Sequence, residues 1–160
     1  MRWTWALVLA AASCAPPAGS VASAEQAVQE LNQDARFGRA EMVLDHVAAA
    51  AREDFAAHHR AWGTEVRVAD VELTSMRPQG EHGVDVLVRV AWYRPAEQEL
   101  RVTTLKQGWK DKDKNGGWQL VSEQRVDGDL GLLGESVIFQ TPSEARAPAQ
   151  FPTVRLGSPL

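Results

Sequence analysis

Val84-Asp85-Val86-Leu87-Val88-Arg89-Val90-Ala91-Trp92 puts Val84, Val86, Val88, Val90 and Trp92 at every second position without a fault. Successive strand side chains point to opposite faces, so this period predicts a strand with one buried face. Turn signals bound it, Arg77-Pro78-Gln79-Gly80 before and Arg94-Pro95-Ala96-Glu97 after. Upstream, Val66, Val68, Val71 and Leu73 predict another strand, with a parity slip near Ala69-Asp70 of the kind a bulge produces. Downstream, Leu100, Val102 and Thr104 alternate as a third strand. Asp111 to Gly117 then makes a charged turn containing Asn115-Gly116, and Trp118, Leu120 and Val121 open a last strand ending near Val126.

The residues before this meander have helical spacing. Ser23 with Gln26 forms a capping-box pattern, Ala24, Ala27, Val28, Leu31 and Ala35 recur on one face, and Gly38 is a C-terminal stop. Met42, Val43, His46 and Val47 share a second face. From Ala51 to Trp62, Phe55, one of His58 and His59, and Trp62 fall together, with Gly63 ending the segment. The pattern leaves open whether these last two are one bent helix or two. Helices followed by antiparallel strands predict an α+β domain over residues 23–129, its N-terminal helices packed on a curved four-stranded antiparallel sheet. Asp85, Arg89, Glu99, Arg101, Glu123 and Arg125 are expected on the opposite, solvated face of that sheet.

Cys14 is the only cysteine among 160 residues, so no disulfide can form within one chain. Arg2 and the apolar run Trp3–Ala12 have the layout of a secretory signal peptide, and the run is too short to span a bilayer. Ala11-Ala12-Ser13-Cys14 resembles the bacterial lipoprotein lipobox, with alanine in place of the commoner leucine at the first position. The resemblance implies removal of residues 1–13 and attachment of diacylglycerol and an amide-linked acyl chain to Cys14. Ala15 at the next position implies the outer membrane, facing the periplasm. The competing reading is an ordinary secretory signal cut near Ala18 or Ala22. Residues 14–22, small and proline-bearing, read as a flexible tether.

Loss of residues 1–13 removes one cation, Arg2, leaving 16 basic and 21 acidic side chains, a formal charge of −5. That balance argues against nucleic acid as a partner. Residues 130–160 pass from a Leu- and Gly-containing segment into a Pro-, Ala- and Ser-rich tail expected to be partly disordered. Leu130, Leu132 and Leu133 are expected to cover an open end of the domain.

The order of elements, with Trp92-Tyr93-Arg94 at a strand end and Gly117-Trp118-Gln119-Leu120-Val121 after the last turn, resembles the NTF2-like cone fold. A cystatin-like arrangement is the alternative. The NTF2-like resemblance implies a cavity that enzymes of the group furnish with an Asp, His or Tyr. Asp45, His46, His58, His59, Asp70 and Tyr93 are candidates here, and no pair of them has a catalytic spacing.

His58-His59 cannot readily share a metal, because adjacent helical residues point about 100° apart. One of them is expected beside Phe55 and Trp62, with the other solvated. Asp111, Asp113, Asn115 and Gly116 open like a calcium loop, but Ser122 stands where the bidentate glutamate would be. Trp109 and Trp118 flank that turn and are placed to pack across the hairpin. Trp62, Trp92 and Tyr93 are the candidate ligand-binding residues. No metal, cofactor or catalytic residue is assigned. The expectation is a membrane-tethered, non-catalytic binding or accessory module for an envelope protein or a small apolar ligand. The alternative is a cone-fold isomerase or hydrolase.

Overall fold

The computed structural model describes residues 20–136, apart from 98, 113 and 115. Helix α1 spans Val21–Arg36. Its N-cap is Ser20, whose Oγ accepts the Ser23 backbone N–H at 3.1 Å and so satisfies one of the open donors of the first turn. Ser23 is therefore inside the helix, and so are Val21 and Ala22, which the sequence pattern gave to the tether. The Ser23 hydroxyl instead accepts from Trp118 Nε1 at 3.0 Å. Gly38, at φ +70°, turns the chain after the helix as expected.

The two later helical segments are separate. Helix α2 is Ala40–Asp45, and a 3-10 turn, Ala49–Ala51, leads into α3, Arg52–His58. Between them residues 46–48 leave the helical path to lie against the sheet. Leu120 N–H donates to His46 O at 2.8 Å and Ala48 N–H to Leu120 O at 2.9 Å, which covers part of an otherwise open edge.

Strands β1 (Arg67–Pro78), β2 (Gly83–Tyr93), β3 (Leu100–Asp111) and β4 (Trp118–Gly128) form one antiparallel sheet in the order β1-β2-β3-β4. The α+β architecture is the expected one. Val84, Val86, Val88, Val90 and Trp92 all face the helices and are buried. The anticipated bulge lies between Val68 and Asp70, and a second lies between Leu73 and Ser75.

Strand β3 has the opposite parity to the expected one. Thr103, Leu105, Gln107, Trp109 and Asp111 are buried, whereas Leu100 is 65% exposed and Val102 is also on the outer face. Register with β2 decides this: Trp92 pairs with Arg101 and Val88 with Leu105, and directly opposed residues share a face. Arg101 is thus an inward residue. Its guanidinium lies 5.3 Å from the Trp92 ring centroid, with that of Arg94 at 5.9 Å, and together they close that end of the interior. Asp85 and Arg89 do face outward, paired with Lys106 and Glu72.

Past β4, the segment Asp129–Glu135 folds back. Leu132 and Leu133 enter the core while Leu130 stays exposed. The Glu135 carboxylate accepts from the backbone N–H of Gly131 and Leu133 at 3.0 and 2.9 Å and from Arg125 Nε at 3.1 Å. The folded unit therefore extends beyond the expected boundary at residue 129. The remaining tail, 137–160, and the tether and signal residues up to 19 lie outside the described residues.

Two outcomes follow from this closure. Leu132→Ala is expected to cost about 2–5 kcal/mol in urea unfolding, as other buried leucine truncations do. Burial alone would raise the Glu135 pKa, but hydrogen bonds from backbone N–H groups and Arg125 outweigh it and hold the value below 4.5. A lowered carboxylate pKa contributes stability above the unfolded value and loses it as pH falls through the folded one. The stability gap between the natural protein and Glu135→Gln should accordingly be full at neutral pH and shrink below pH 4.5.

Candidate functional site

A line of polar side chains crosses the interface between helices and sheet. Asn32 of α1 donates through Nδ2 to Val28 O at 2.7 Å and to Gln107 Oε1 at 3.2 Å. Gln107 of β3 returns a bond from Nε2 to Asn32 Oδ1 at 3.0 Å and gives another to Glu123 Oε1 at 2.8 Å. Trp109 Nε1 adds a donor to Gln107 Oε1 at 3.3 Å. Glu123 of β4 then faces His59, which follows α3, with Oε2 3.2 Å from Nε2; the two side chains are 4% and 10% exposed.

Glu123 points inward because of a bulge. Trp109 pairs with Leu120 but Gly108 with Ser122, so Val121 is unpaired and the parity of β4 reverses after it. Bulges re-aim side chains in this way. Trp118 and Leu120 face in before the bulge; Glu123 and Arg125 face in after it. This corrects the solvated placement expected for Glu123 and Arg125. The visible signal was the adjacent apolar pair Leu120-Val121, which strict alternation does not produce. Nothing comparable marked Asn32 or Gln107.

The donor roles at His59 follow from its partners. Nδ1 lies 2.9 Å from the Phe55 carbonyl oxygen, which can only accept, so Nδ1 carries a proton. Attraction between Nε2 and Glu123 Oε2 then requires a proton on one of those two atoms. The contact is within ion-pair distance but not aligned as a hydrogen bond, and Oε2 is a buried acceptor without a hydrogen-bond partner. A carboxylate beside an imidazole has the composition of an acid–base pair. Here both ring nitrogens are engaged, and the Phe55 ring stacks on the imidazole at 3.8 Å with Trp62 at 4.3 Å. The pair is enclosed and ties α3 to β4.

Two cavities flank Phe55. One, of about 220 Å³, lies among the three helices against Ala35, Val43, Leu44, Phe55, His59 and Trp62. The other, of about 210 Å³, lies between α3 and β4 against Ala51, Asp54, Phe55, His58, Leu120 and Glu123.

The three expected ligand residues are not brought together. Trp62 lines the first cavity and donates through Nε1 to Leu132 O at 2.9 Å. Trp92 is wholly buried, bonded to Thr103 Oγ1 at 2.9 Å, and Tyr93 stands on the outer sheet face, 38% exposed. His59, as anticipated for one of the two histidines, packs between Phe55 and Trp62. Asp45 is exposed, Asp70 pairs with Arg36 on the surface, and His46 lies 3.9 Å from Glu30. Asp111 is buried and accepts from Gly116 N–H, as in a hairpin turn; residues 113 and 115 lie outside the described residues. Cys14 also lies outside them. Among the described residues no three His, Cys, Asp or Glu side chains could hold a metal, and no helix is long and apolar enough to cross a membrane.

No family model matches the sequence, and no curated protein matches it. Among solved structures, the chain is similar to a SEC-C motif containing protein from Rhodopseudomonas palustris, with 15% identity and a TM-score of 0.55 over 68% of this chain and 82% of that one. It also matches the Agrobacterium tumefaciens VirB8 protein at 13% identity and a TM-score of 0.48, over 68% of this chain and 92% of that one. At such identities the first likeness concerns the fold alone.

Proposed function

We propose that the chain is a membrane-tethered bacterial envelope lipoprotein whose NTF2-like domain is a non-catalytic binding module. The anchor rests on the lipobox-like Ala11-Ala12-Ser13-Cys14 and on the outer-membrane preference implied by Ala15. The binding role rests on one observation: a cavity with a largely apolar lining lies among the helices beside Trp62, while Trp92, Trp109 and Gln107 are buried in the sheet face. Concave apolar surface with a few polar groups is the usual form of a small-molecule site.

A second reading, a cone-fold isomerase or hydrolase, draws support from Glu123 Oε2. An unpartnered buried carboxylate oxygen beside a histidine is a recurrent mark of acid–base sites. The enclosed state of the pair favours the binding module.

Intact-mass measurement of protein extracted from membranes tests the anchor. The expected mass is that of the chain from Cys14 plus diacylglycerol and one acyl group. Cys14→Ser should abolish the modification. A water-soluble mature protein with an unmodified Cys14 would refute the tether.

A further inference from the structure

We infer that the cavity beside Trp62 takes a small monocarboxylate with an apolar body of about one ring, a ligand class that rests on the binding reading above. Its walls are Ala35, Val43, Leu44, Phe55 and Trp62, so the body of the ligand must be apolar. Its size sets the length. A void of about 150 Å³ lined by apolar side chains accommodates benzene, and drug-sized pockets run from roughly 300 Å³ upward. At about 220 Å³ the space holds one ring, and its open mouth leaves a short substituent in reach of the rim.

Charge at the rim selects the head group. Two arginines, Arg39 and Arg60, are among the residues lining the cavity, and both are exposed. Arg39 is already held by Asp34 at 3.1 Å. Arg36 nearby is paired with Asp70 at 3.3 Å. Among the described residues, Arg60 has no carboxylate within ion-pair distance. One cation without an ion-pair partner beside an apolar wall matches one negative charge, and the planar fork of arginine suits a carboxylate through two parallel bonds. His59 supplies no donor to this ligand, because Nδ1 bonds Phe55 O and Nε2 faces Glu123.

The Gly38 and Gly63 backbones pass in van der Waals contact, a Cβ built on either lying 3.7–3.8 Å from the Cα of the other. Both hold left-handed φ, +70° and +77°, which favours glycine there. This contact brings the turn after α1 against the turn after Trp62, beside the cavity.

The test compares 3-phenylpropionate with its neutral counterpart 3-phenyl-1-propanol, titrated into the purified full chain at millimolar concentration. Calorimetry and the NMR signal of the Trp62 indole N–H are the readouts. The carboxylate is expected to bind about two- to fivefold more tightly, the contribution of an ion pair made by an exposed side chain. Arg60→Gln should erase the difference and leave alcohol binding intact. Ala56→Phe, at an exposed position on the cavity wall, should block both ligands without unfolding the domain.

Equal affinity for acid and alcohol would overturn the ligand class and leave a general apolar site. A carboxylate preference that survives Arg60→Gln would overturn the role of Arg60. If neither compound perturbs Trp62 in the folded natural protein, the binding reading itself falls.

Discussion

Among the links between the helices and the sheet, the contact of Glu123 Oε2 with His59 Nε2 at 3.2 Å ties α3 to β4, and it exists because β4 carries an extra residue. Val121 is left unpaired, the strand changes parity, and a carboxylate that alternation would send to solvent enters the interior. The partner strand accommodates the kink with a glycine. A Cβ at Gly108 would stand 2.5 Å from Ser122 Oγ, so a larger residue would force that side chain to move. From Glu123 the polar line runs back through Gln107 and Asn32 to α1. The irregularity in β4 thereby connects α3 to the polar line that reaches α1.

Energetically such a line specifies geometry more than it stabilises. A buried polar pair often contributes no more than apolar residues of the same volume, because both groups lose their water. Removing one partner is different, since it leaves the other desolvated and unpaired. The apolar material around the line supplies the net stabilisation: the five inward residues of β2, Leu105 and Trp109 of β3, and Val28 and Leu31 of α1. Leu132 and Leu133 add the last part, held in place by the hydrogen bonds converging on Glu135.

Strand β2 was legible because its inward residues are all apolar and its outward ones include charges. The slip in β1 was legible for the same reason, since Val68 and Val71 mark both sides of it. Strand β3 misled because its exposed positions, Leu100 and Val102, are apolar while inward Arg101, Thr103 and Gln107 are polar. Those three are tolerated inside because each has a partner: the Trp92 ring and Glu97, the Trp92 indole N–H, and the Asn32–Glu123 line. Partners of that kind are set by tertiary structure and leave no periodic trace. The start of α1 shifted to Ser20 because two serines three residues apart compete for the N-cap, and Ser23 is claimed by Trp118 from another element. The neighbours of a buried histidine, Phe55 and Trp62, could be read along one segment; its carboxylate partner, 64 positions further on, could not.

A double-mutant cycle of His59→Phe and Glu123→Leu, followed by urea unfolding, tests the joining role of this contact most directly. His59→Phe alone should cost about 1–3 kcal/mol, because it leaves the buried Glu123 Oε2 facing an apolar ring. Glu123→Leu should cost less, and the double variant should recover much of the loss, giving a coupling well above 1 kcal/mol. Costs that add to within about 0.5 kcal/mol would mean the two side chains act independently and would contradict the account.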